Sequence, residues 1–193
     1  MELRFRNSII KLMIKKILTY YKIPLLVSLT LGITILAMSV ARKPLDIAQV
    51  FVGVLLGTFL LDLEFILYPY IFEPETEYAK SVFAHIKNKN FGDLIAFINE
   101  HKDEVKDKSL NSIIFQFVLI FLVVFASYTN TSYFIKAFVM SVFASSVYKL
   151  TEALFEGKTK DWFWAIKGTP KKEGVIFFII GLILVLAVSL YFV

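Results

Sequence analysis

Residues 46–71 form an apolar stretch that carries two acids, Asp62 and Glu64. An Asp at the centre of a membrane-spanning helix costs roughly 2.5–3.5 kcal/mol on insertion scales, so a span with two carboxylates needs partners. A second unusual stretch, residues 133–155, offers one: Lys149 lies there among apolar residues, with Glu152 close by. A fold for this chain must join these groups or let them reach water.

Composition points to the solvent. Hydrophobic residues make up 58% of the 193 and mean hydropathy is +0.70, above the roughly 45–50% apolar content of soluble domains. The expected class is an all-α, polytopic helical membrane protein of one domain, residues 1–193. About five transmembrane helices, an amphipathic N-terminal helix and a cytoplasmic helical hairpin would build it. With no cysteine, disulfides and thiolate metal sites are excluded. Two histidines, His85 and His101, are too few for a histidine-rich catalytic metal cage.

Residues 1–22 mix Arg4, Arg6, Lys11, Lys15, Lys16 and Lys22 with Ile and Leu, as in a basic interfacial helix. Pro24 is expected to open a first span over 23–41. Its end, Ser39-Val40-Ala41, has the small-x-small form of a signal-peptidase site, but the long basic region favours a retained span. Asp46 is expected to cap the second span and Pro69 with Pro74 to close it. Gly53 and Gly57, four apart, form a face on which two helix backbones can approach closely, and Leu61, Glu64 and Tyr68 continue it. On a regular helix Asp62 lies about 160° from Glu64, on a face with Thr58 and Pro69.

Residues 72–111 are the long polar segment. Pro74, Glu75 and Glu77 suit a helix start, followed by Tyr78, Val82, Phe83 and Ile86 at helical spacing. Asn88 to Gly92 breaks the pattern, Asp93 is placed to cap a second helix, and Leu94, Ile95 and Ile98 give that helix an apolar side. His85 and His101 are expected in water, and Lys102 to Lys108 on an exposed helix face. A third span follows over 112–128 with Gln116 as its polar member, joined by Thr129 to Ser132 to a fourth. Ser141, Ser145, Lys149, Glu152 and Glu156 then line one polar stripe, with Lys149 and Glu152 spaced to pair. Gly157 ends that helix, Trp162 and Trp164 suit the headgroup level, and residues 174–193 make a fifth span.

Of the 21 Lys and Arg, six fall in residues 1–22, six in 72–111 and five in 157–173. Two more lie at 42–43, and Lys136 and Lys149 are the remainder. The bias predicts a cytoplasmic (inner) membrane protein with a cytoplasmic amino terminus, both long loops inside, and the carboxyl terminus outside.

The expected polar cluster is Asp62, Glu64, Ser145, Lys149 and Glu152, near the inner ends of two inward-running spans. It can serve helix packing alone, or function. The run Gly57-Thr58-Phe59-Leu60-Leu61-Asp62-Leu63-Glu64 resembles the Asp-x-Asp-His element of the inner-membrane metal-dependent hydrolase family. That resemblance implies membrane-bound hydrolysis at a divalent ion. Here, however, Glu64 replaces the second acid and Phe65 the His, Asn111 begins the third span, and Ser145 with Lys149 holds the expected His-x-x-x-Asp positions. An ammonium at a ligand position repels a divalent ion, so a member of this family with these residues would have lost its metal. A small oligomeric proton- or ion-coupled transporter or channel is another alternative. The leading expectation is a non-catalytic accessory, assembly or binding subunit. Its partners would be the lipid bilayer and a second copy or another membrane protein, with no nucleic acid, metal or cofactor.

Overall fold

The computed structural model describes residues 2–39, 43–71, 73–102, 105, 109–166, 168 and 170–193, with side chains from Thr19 onward. The Ser39-Val40-Ala41 motif falls partly outside these residues, as do most of Lys102 to Lys108 and the side chains of Arg4, Arg6, Lys11, Lys15 and Lys16. Among the described residues every regular element is helical. They are α1 (Glu2–Met38), α2 (Pro44–Leu60), a 3-10 turn (Leu61–Leu63), α3 (Glu64–Ile71), α4 (Glu77–Lys87) and α5 (Phe91–His101). After these come α6 (Ile113–Tyr128), α7 (Tyr133–Glu156), a second 3-10 turn (Thr159–Asp161) and α8 (Lys172–Tyr191).

Among the described residues four stretches are long and apolar enough to cross a membrane: Thr19–Met38, Pro44–Ile71, Tyr133–Glu156 and Lys172–Tyr191. The expected third span is the shorter helix α6, 16 residues, about 24 Å at a 1.5 Å rise against a hydrocarbon core of about 30 Å. Pro24 does not open a new helix; it lies inside α1, which runs on without a break. Membrane helices tolerate proline because neighbouring groups can re-satisfy the freed carbonyl. Pro69 likewise lies inside α3. At the start of α2 the cap position is Lys43 with Pro44 at the first turn, and Asp46 is one turn in, where its charge faces the helix dipole.

The chain divides into two compact units, Met1–Ile23 with Asp62–Asp107, and Pro24–Leu61 with Lys108–Val193. In the larger unit α7 is the central helix: every residue from Met140 to Val147 is buried, and its neighbours are α2 most extensively, then α6 and α8. A Cβ on Gly53 would lie 2.7 Å from the Phe134 carbonyl, and one on Gly57 2.7 Å from that of Phe138. Both helices advance by four between these contacts, so α2 and α7 run parallel, with the glycines letting the backbones meet.

Ser112 and Ser132 cap α6 and α7 by accepting from Phe115 N–H and Ile135 N–H. Gly157 closes α7 in the left-handed region at φ 74°, and the Lys158 N–H returns to the Ala153 carbonyl at 2.8 Å, the hydrogen bonding of a Schellman stop. The chain then folds back, and the Trp162 carbonyl accepts the Ile113 N–H at 2.9 Å. Trp162 is therefore in the core, whereas Trp164 is exposed.

The smaller unit packs α3, α4 and α5 around Phe65, Tyr68, Tyr78, Val82, Leu94 and Ile98. Thr76 caps α4. Asn90 holds the cap position of α5; Asp93, expected there, is in the first turn and accepts from the Asn90 side chain. The apolar sides of α4 and α5 are thus spent largely on each other and on α3.

Candidate functional site

In the larger unit three hydroxyls from three helices converge at the centre of the apolar core. Thr58 Oγ1 lies 2.6 Å from Ser28 Oγ and 2.8 Å from the Val54 carbonyl. Ser28 Oγ is 3.1 Å from Ser141 Oγ, which in turn donates to the same Val54 carbonyl at 2.7 Å. Ser28, Thr58 and Ser141 are all fully buried. The result is a closed ring of four contacts, in which α1, α2 and α7 are tied by neutral groups that hydrocarbon would otherwise leave unsatisfied. Ser28 was not marked by the sequence pattern; its only signal is a hydroxyl within an apolar helix.

A second polar contact joins α6 to α7. Gln116 Nε2 donates to Ser146 Oγ at 2.7 Å, with both residues fully buried. Among the described residues Gln116 Oε1 and Ser145 Oγ have no hydrogen-bond partner. Ser146, which the polar stripe of α7 omits, faces α6, so the hydroxyls of α7 serve two sides of the helix.

Down α7 the stripe passes from core to surface. Ser145 is buried, Lys149 and Glu152 are half-buried, and Glu156 is exposed and paired with Lys158 at 3.0 Å. Tyr148 donates its hydroxyl to Glu152 four residues on, a pairing that helical spacing allows. A tyrosine is therefore a partner of this carboxylate, beside the expected spacing to Lys149.

Asp62 and Glu64 belong to the smaller unit, whereas Ser145, Lys149 and Glu152 belong to the larger. Asp62 sits on the 3-10 turn, half-buried, and Glu64 begins α3 with 5% of its surface exposed. A 3-10 turn advances about 120° per residue, so the angle of about 160° from a uniform helix does not apply here. Thr58 and Pro69, each in its own unit, are both buried. Tyr21, a buried residue of α1, hydrogen-bonds the Asp62 carboxylate. The Tyr78 hydroxyl donates to the Phe65 carbonyl at 3.1 Å.

His85 and His101 are half-buried rather than solvated. Both pack on Phe97, with ring centroids 5.6 and 4.3 Å away, and His101 Nδ1 meets the Phe97 carbonyl at 3.0 Å. Phe97 and His101 meet through the four-residue spacing of α5, whereas His85 reaches the same ring only because the hairpin brings α4 against α5. Among the described residues no group of three or more His, Asp or Glu is arranged to hold a metal ion.

Chemically, these sites offer neutral hydrogen bonds between helices and carboxylates held by phenols. No protein-family model, no curated protein and no solved structure matches the chain.

Proposed function

We propose that the chain is an accessory or assembly subunit of a membrane complex, without catalytic chemistry of its own. The observation that carries this reading is the closed ring of Ser28, Thr58, Ser141 and the Val54 carbonyl. A solute path would present such groups to a lumen; here they bond one another between helices, which is how polar residues hold membrane bundles together.

The distribution of Lys and Arg supports a cytoplasmic amino terminus in the cytoplasmic (inner) membrane, with the α4–α5 hairpin inside and the carboxyl terminus outside. The hairpin's apolar sides are used internally, so its partner-binding surface is the charged exterior, which includes Glu77, Lys80 and Lys87. Purification from native membranes in mild detergent tests this. A stoichiometric protein partner that is lost when these three residues are replaced by Ser supports it. A chain that purifies alone and carries ions across liposomes refutes it.

A further inference from the structure

Lys136 in the larger unit is 8% exposed. Among the described residues no hydrogen bond or ion pair reaches its ammonium. That nitrogen is not one of the fully enclosed polar atoms without a partner, so the tip still meets the surface. Lys136 lies in the first turns of α7, four residues after the capping Ser132. Long helical side chains lean back over the preceding turn, which carries this ammonium toward the α7 amino end, where the helix dipole is already positive.

The turn itself supplies donors. Among the described residues Ser132 Oγ serves only the Ile135 N–H, at 3.4 Å, and the first N–H groups of a helix have no acceptor inside it. Thr129 and Thr131 donate their hydroxyls back to the Phe125 and Ala126 carbonyls, occupying acceptors at the end of α6. Asp46 is in the first turn of α2, whose amino end lies on the same side as that of α7 because the two helices are parallel, yet no ion pair joins it to Lys136.

The depth of the site indicates what fills it. Tyr128 at the end of α6 is 62% exposed, with its ring 4.6 Å from Phe192, and Tyr191 is 75% exposed. Tyr133 opens α7 at the same end. Tyrosines grouped at one end of a bundle mark the headgroup layer, and a Lys one turn further in reaches that layer along its stem.

We infer that Lys136 and the amino end of α7 bind the phosphate of an anionic phospholipid headgroup. The test is native mass spectrometry of the full chain from detergent containing equal phosphatidylglycerol and phosphatidylcholine. Thermal melting with each lipid, or with inorganic phosphate alone, accompanies it. The wild type and Lys136→Arg retain one phosphatidylglycerol, and Lys136→Met lowers the retained fraction about tenfold, the loss of one charge-assisted hydrogen bond. If Lys136→Met fails to fold, the wild-type melts decide: stabilisation by phosphatidylglycerol alone supports the site. Equal retention by Lys136→Met overturns the inference. So does equal stabilisation by inorganic phosphate or phosphatidylcholine, or carboxylate-to-amine cross-linking of Lys136 to another protein in native membranes.

Discussion

Gly57 packs so closely on Ser141 that a Cβ on the glycine would lie 2.7 Å from the serine Cβ and 2.9 Å from its hydroxyl oxygen. The same approach brings Ser141 Oγ to the Val54 carbonyl one turn away on α2. The small residue and the interhelical hydrogen bond are two parts of one contact.

Gly57→Ala should therefore destabilise the larger unit by about 1–3 kcal/mol, the usual cost of overpacking, since the atoms it meets include the Phe138 carbonyl, which cannot swing aside. Gly53→Ala should behave alike. Gly181→Ala, with nothing within 4 Å, should be neutral or stabilising by up to about 1 kcal/mol through helix propensity. Thermal unfolding in detergent separates the three.

Within the hydroxyl ring, Ser141→Ala and Thr58→Val should each cost about 0.6–1.7 kcal/mol, the range measured for membrane interhelical hydrogen bonds. The double variant should lose less than the sum, because both residues share the Val54 acceptor. Strict additivity would show that the ring does not form.

In the smaller unit, Tyr21→Phe should cost about 1.5 kcal/mol by removing a donor to a carboxylate. In an Asp62→Asn background the same change should cost measurably less. Identical losses in both backgrounds would mean that the phenol and the carboxylate do not meet.

Phe97→Ala should loosen the α4–α5 hairpin, because Tyr78, His85 and His101 all pack on that ring. The loss should be about 2 kcal/mol, below the value for a fully buried Phe because Phe97 is only half-buried. Amide exchange should speed up across Glu77–His101 while the centre of α7 keeps its protection; faster exchange in both would contradict a local effect.

Much of this architecture was legible in local pattern. Helix stops and starts such as Gly157 and the Asn88 to Gly92 break depend on a few adjacent residues, and the four-residue step from Gly53 to Gly57 marked a face for close packing. The Pro24 and Pro69 boundaries misled because a proline's cost depends on what neighbours the freed carbonyl. The burial of Trp162 was not legible because its backbone is tied to the distant Ile113, nor that of His85 because Phe97 stands on the other helix of the hairpin, whereas the step of four from Phe97 to His101 lay within one helix.

From sequence alone came the apolar helices, most of their limits, and the polar groups that hydrocarbon would not tolerate. Only the tertiary structure decided that α7 is central, and that Ser28, 113 residues from Ser141 and 30 from Thr58, completes a ring with both. The physical reason is range: helix formation is governed by neighbours within a turn or two, whereas a hydroxyl in an apolar interior is satisfied by whatever helix lies beside it.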